Sequence, residues 1–173
     1  ARIKFMEKSS GLVLIVDDNA TNLDLLVNTL KRDYRLGVAK SGDKALEYVS
    51  NQKPDIILLD IMMPGMDGFE VCRRLKSEPD RRDIPVIFIT AVDDSSRKMK
   101  GFQLGAVDYI TKPFLAEEVR ERVRTHLSLK SMREQLADRN VNLEKMVREK
   151  TLELERMLEA SISVITLMAE IRD

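Results

Sequence analysis

The sequence predicts an α/β fold: a doubly wound, five-stranded parallel sheet followed by one long helix of coiled-coil type. Three observations predict it. Residues 12–16, 56–59 and 86–90 are short apolar runs rich in β-branched residues, without the alternation of a half-exposed strand. Such runs suit strands covered on both faces. Amphipathic segments lie between them, and residues 115–171 contain neither proline nor glycine.

The elements follow in order. After the strand at 12–16, Leu23, Leu26, Val27 and Leu30 share one helical face. A weaker strand fits at 36–39 and a helix at 42–50. The strand at 56–59 precedes a helix carrying Phe69, Cys72 and Leu75 on its buried side, where free cysteine packs as a small hydrophobe. The strand at 86–90 leads to a helix at 95–104 closed by Gly105, and a weak strand at 107–110 completes five βα units over residues 11–127. In the last helix, Leu129, Leu136, Leu143, Met157, Val164 and Ile171 form a seven-residue column broken by Lys150. The neighbouring column holds Arg133, Asn140, Val147, Leu154, Ser161 and Met168. A helix of this length would reach about 85 Å at 1.5 Å per residue, so it needs a partner. A parallel homodimer through Leu129, Leu136, Asn140, Leu143, Val147, Leu154 and Met157 is expected, with Asn140 fixing register.

Composition excludes several classes. The 173 residues are 43% hydrophobic and 34% charged, with 29 basic and 29 acidic side chains, so no net field draws the chain to nucleic acid or an acidic membrane. One cysteine and one histidine, Cys72 and His126, cannot build an internal disulfide or a zinc site of their own. His126 reads as structural or solvated. Residues 1–10 form a charged extension, and no apolar run reaches membrane-spanning length, which points to the cytoplasm with no membrane or nucleic-acid partner. The acids mixed with arginines at 117–124 argue against a leucine-zipper DNA binder.

In an open parallel sheet, ligands bind beyond the carboxyl ends of the strands. Asp17 and Asp18 follow the first strand, Asp60 ends the third, Thr90 the fourth, and Lys112 follows the last. All five should meet at one edge. A lone acid there would be a solvated turn or a helix cap, but three carboxylates held close repel unless a cation joins them. Hard oxygen ligands select Mg²⁺, with Mn²⁺ as a substitute.

The motifs Val16-Asp-Asp-Asn19, Leu59-Asp-Ile-Met-Met-Pro-Gly-Met-Asp-Gly68, Ile84-Pro-Val-Ile-Phe-Ile-Thr-Ala91 and Asp108-Tyr-Ile-Thr-Lys-Pro-Phe114 resemble the receiver domain of bacterial two-component response regulators. The resemblance implies a flavodoxin-like strand order and Asp60 as acceptor of a phosphoryl group from a sensor histidine kinase. It further implies Mg²⁺ held by Asp18, Asp60 and the Met62 carbonyl, with Asp17 acting through a metal-bound water. Lys112 and Thr90 would contact the phosphoryl oxygens, and Tyr109 would move with Thr90 as the switch. Lys112-Pro113 would be a cis bond. Ala91 leaves access to Asp60, while Met62 and Val92 occupy positions that vary in the family. A haloacid-dehalogenase-type phosphatase also resembles the chain in its strand-end aspartate and lysine, but Met62 stands where that family needs a second acid.

The resulting organisation is an extension at 1–10, a receiver at 11–127, a coiled-coil linker at 128–160, and a more apolar segment at 161–173. The last segment resembles the first helix of an HD-GYP domain, a cyclic-di-GMP phosphodiesterase, so a C-terminal output domain is expected. A diguanylate cyclase or kinase output is the alternative. With His126 as its one histidine, the chain itself would accept phosphoryl groups and leave cyclic-di-GMP intact.

Overall fold

The structure is a computed structural model that describes residues 11–91 and 95–170. The expected extension at 1–10, Val92 and Ile171 lie outside the described residues, as does the side chain of Met168. Five parallel strands, β1 (Leu12–Val16), β2 (Arg35–Ala39), β3 (Ile56–Asp60), β4 (Val86–Thr90) and β5 (Asp108–Thr111), form one sheet in the order β2-β1-β3-β4-β5. Helices α1 (Ala20–Leu30), α2 (Gly42–Asn51), α3 (Gly68–Ser77) and α4 (Ser95–Gln103) connect them, and α5 (Ala116–Glu170) follows. This is the flavodoxin-like, doubly wound fold. The two weak strands are offset by one residue from their expected starts, because side-chain pattern alone does not register a strand end.

The non-alternating runs arise because each strand feeds two cores. Along β1, β3 and β4, one set of side chains (Leu14, Val16, Ile57, Leu59, Val86, Phe88) packs beneath α2 and α3. The intervening set (Val13, Ile15, Ile56, Leu58, Ile87, Ile89) packs with Leu23, Leu26 and Leu30 of α1 and Val119 and Val123 of α5. Every residue of these three strands is buried. Cys72 is buried on the first face, and burial pushes its thiol up to about 11, so it behaves as core. Gly105 closes α4 at φ +92°, its N–H donating to the Phe102 carbonyl at 2.9 Å.

By its contacts the chain divides into two units, the first ending at Lys130. Lys130 Nζ donates to Asp55 Oδ1 at 2.7 Å, while Asp55 Oδ2 accepts from the Leu12 N–H. The second unit, from Ser131, is the remainder of α5, and its described side chains are exposed. No helix among the described residues is long and apolar enough to cross a membrane.

The loop after β3 returns at once to the sheet. Gly68 N–H donates to the Ile61 carbonyl at 3.0 Å, and a Cβ on Gly68 would lie 2.2 Å from the Asp60 carbonyl oxygen. The obstacle is backbone, which cannot swing aside as a side chain would. Gly68→Ala is therefore expected to lower stability by about 1–3 kcal/mol, read by urea unfolding against the parent.

Candidate phosphoryl-transfer site

Four of the five strands, all but β2, each carry one group to the carboxyl edge of the sheet. Asp17 stays in the ladder one residue past β1, its N–H donating to the Ala39 carbonyl at 3.3 Å. Lys112 does likewise past β5, donating to the Thr90 carbonyl at 2.7 Å. Asp60 and Thr90 are the last residues of β3 and β4. The sequence therefore places these side chains by strand length alone. Asp17, Asp60 and Thr90 are buried, whereas Asp18 and Met62 are exposed at the rim.

Lys112 Nζ bridges the two buried acids, donating to Asp17 Oδ2 at 2.7 Å and Asp60 Oδ2 at 2.8 Å. Asp17 also accepts from Asn22 Nδ2 on both oxygens, at 3.1 and 3.0 Å, and from the Asn19 N–H at 2.8 Å. The Met62 N–H donates to Asp60 Oδ1 at 3.2 Å. Burial pushes the Asp60 carboxyl above its ordinary range and Asp17 adds repulsion, against the opposing pull of Lys112. Burial alone would depress Lys112, but its hydrogen bonds to Asp17 and Asp60 outweigh that and raise it.

Oxygen atoms of Asp17, Asp18 and Asp60 all lie within 4.8 Å of one another. One ammonium cannot balance three carboxylates, and the surplus negative charge sits on hard oxygen donors. That donor set fits Mg²⁺ or Mn²⁺ and offers nothing to a soft metal. Asp17, Asp18, Asp60 and Lys112 thus lie together, Thr90 ends the neighbouring strand, and the Lys112-Pro113 bond is cis.

Tyr109 lies on the other side of β4's end. It is half-buried, packed edge-on against Phe102 with ring centres 6.0 Å apart, and Lys98 Nζ stands 4.2 Å above its ring. Tyr109 and Thr90 line one cavity, together with Phe88, Phe102 and Ala106. Asp108, next to Tyr109, accepts from Arg122 Nη1 at 2.7 and 2.8 Å and lies 3.0 Å from His126 Nε2. His126 is thus structural. Sequence reasoning missed Asn22, Asp108 and Arg122. A usable signal existed for the last: Arg122 and His126 are four apart, beside the apolar stripe of Val119, Val123 and Leu127.

A doubly wound parallel sheet in this strand order, with a lysine-bridged acidic cluster at its carboxyl edge, defines the class as flavodoxin-like. The sequence pattern described as the response regulator receiver domain matches residues 13–124, and the chain belongs to that family. It is 40% identical over 165 residues to a Vibrio cholerae protein named as a probable cyclic di-GMP phosphodiesterase, covering 95% of this chain and 37% of that protein. It is 41% identical over 138 residues to the response regulator PleD of Caulobacter vibrioides, covering 79% and 30%. The chain thus spans about a third of the length of these curated relatives. Among solved structures, the receiver domain of a signal transduction histidine kinase from Syntrophus aciditrophicus superposes with a TM-score of 0.64 at 37% identity, covering 69% of this chain and 91% of that one. The chemotaxis regulator CheY4 of Vibrio cholerae gives 0.65 at 26%, covering 67% and 98%.

The Asp108 node yields a pH prediction. Burial raises this carboxyl, but the hydrogen bonds from His126 and Arg122 prevail and hold it below its ordinary value. A depressed folded pKa contributes stability that is complete above about pH 4 and is lost as pH falls through the lower folded value. Asp108→Asn should therefore cost about 1–3 kcal/mol at pH 7, with the gap from the parent narrowing below about pH 4, as followed by urea unfolding across that range.

Proposed function

We propose that this chain is a phosphorylation-switched signalling module in which Asp60 accepts a phosphoryl group from a phosphohistidine on a cognate sensor histidine kinase. The observation that carries this reading is Lys112 Nζ held between Asp17 and Asp60. Asp60 Oδ attacks phosphorus, the new O–P bond forms as the N–P bond breaks, and the departing imidazole keeps the bonding pair. Asp18, Asp60 and the Met62 carbonyl would hold Mg²⁺ directly, and Asp17 would act through its water. When bound, the ion supplies positive charge beside the transferring oxygens. Lys112 supplies the second positive charge from the protein side, and the Thr90 hydroxyl donates to a phosphoryl oxygen.

The switch follows from the shared cavity. Movement of Thr90 toward the new phosphoryl group opens space that Tyr109 can enter, and Tyr109 adjoins Asp108, which grips α5 through Arg122. Phosphorylation thus biases a pre-existing equilibrium at the α4, β5 and α5 face. In this reading residues 11–127 are the receiver, 128–160 a linker that pairs two chains in parallel, and 161–173 the beginning of an output domain. The similarity to the named phosphodiesterase runs through 165 residues, beyond the 138 shared with PleD, and supports a cyclic-di-GMP phosphodiesterase output over a cyclase or kinase, with the HD-GYP type resting on the sequence of residues 161–173. Such a protein works in the cytoplasm.

Incubation with a small-molecule phosphodonor and Mg²⁺, followed by intact-mass measurement, should show one added phosphoryl group. Chelation of the metal and Asp60→Asn should each abolish it. Modification of the Asp60→Asn variant to the same extent as the parent would reject the assignment.

A further inference from the structure

Past Lys130, the long helix carries apolar side chains with nothing over them: Leu136, Leu143 and Val147 are 59%, 56% and 64% exposed. On a seven-residue repeat, Leu129, Leu136 and Leu143 take position d, while Asn140, Val147 and Leu154 take position a. Leucine at d with a β-branched residue at a favours two parallel strands, and a single asparagine at a fixes their register. The flanking charges add an independent constraint. Arg139 takes position g and Glu144 takes position e, five residues on. In a parallel, in-register pair, each g side chain reaches the e side chain five residues further along the other helix. From 132 to 165, the other such pairs are Met132 with Ala137, Met146 with Thr151, Glu153 with Leu158 and Ala160 with Ile165. Only Arg139 and Glu144 join opposite charges.

Neither residue is used within its own chain. Among the described residues, Lys145 pairs with Glu149 and Lys150 with Glu153 along the helix, while Arg139 and Glu144 form no ion pair. An antiparallel pairing would set g against g and e against e, so Arg139 would not meet Glu144 of the partner subunit. The unused charges and the asparagine therefore select the same arrangement.

We propose that residues 136–147 form a register clamp between two copies of this chain, with Asn140 against Asn140 of the partner subunit and Arg139 paired with Glu144 of the partner subunit on both sides of the seam. The proposal rests on the parallel, Asn140-registered dimer read above and adds the reciprocal pairing of Arg139 with Glu144 that locks it. Lys150, at the next d position, interrupts the seam, so the clamp has to act before it.

Charge reversal tests this on the full chain, by analytical ultracentrifugation with and without phosphodonor and Mg²⁺. Arg139→Glu and Glu144→Arg each turn two attractive contacts into repulsive ones and should each weaken dimerisation about tenfold or more. Both residue types are good helix formers, so the helix itself should persist, as circular dichroism would verify. Mixing the two single variants should restore pairing as a heterodimer, and the double variant should dimerise like the parent. A parent that stays monomeric under both conditions overturns the dimer and the clamp together. A dimeric parent whose single variants pair as tightly as it does, and mix at random, overturns the clamp alone.

Discussion

Lys112 Nζ, lying 2.7 Å from Asp17 and 2.8 Å from Asp60, is the contact on which the rest of the site depends. Two carboxylates in the interior would each cost several kcal/mol of desolvation without a partner, and their mutual repulsion would add to it. The lysine comes from beyond β5, at the sheet edge, and crosses the end of β4 to reach β3 and β1. It can do so because Thr90, which ends β4, and Ala91, which follows it, have short side chains. The remaining imbalance, three acids against one ammonium, favours a hard divalent cation at the rim of the pocket.

The fold converts that local contact into a position for α5. β3 ends in Asp60, and the residue just before it begins, Asp55, grips Lys130 of α5. β5 likewise leads to Lys112, and its first residue, Asp108, grips Arg122 and His126. Beside these polar grips, Val119 and Val123 are buried in the face shared with α1. The helix is thus held to the sheet at three heights within the first unit, by the two strands that also deliver site residues. The described α5 side chains from Ser131 on are exposed, and it is on them that the proposed pairing of two chains rests.

What was legible in the sequence follows from how each feature is encoded. Buried parallel strands need apolar residues on both faces, so β1, β3 and β4 stood out; β2 and β5 lie at the edges, where Arg35 and Asp108 are tolerated, and their limits were blurred. Asp17, Asp18, Asp60, Thr90 and Lys112 could be placed together because strand ends in a parallel sheet converge by construction. Asn22 could not, since its role depends on the rotation of α1 about its axis. The grips of Arg122 on Asp108 and Lys130 on Asp55 were hidden for a related reason: a charged residue on an amphipathic helix looks solvated until its neighbour across the sheet is known.

The most direct measurement is a double-mutant cycle in urea, without divalent metal, on the parent, Lys112→Met, Asp60→Asn and the two combined. If Lys112 holds the site by compensating buried charge, Lys112→Met destabilises the parent strongly. The same change costs markedly less once Asp60 is neutral, giving a coupling of about 1–3 kcal/mol. Additive effects, with Lys112→Met costing the same in both backgrounds, would contradict the account.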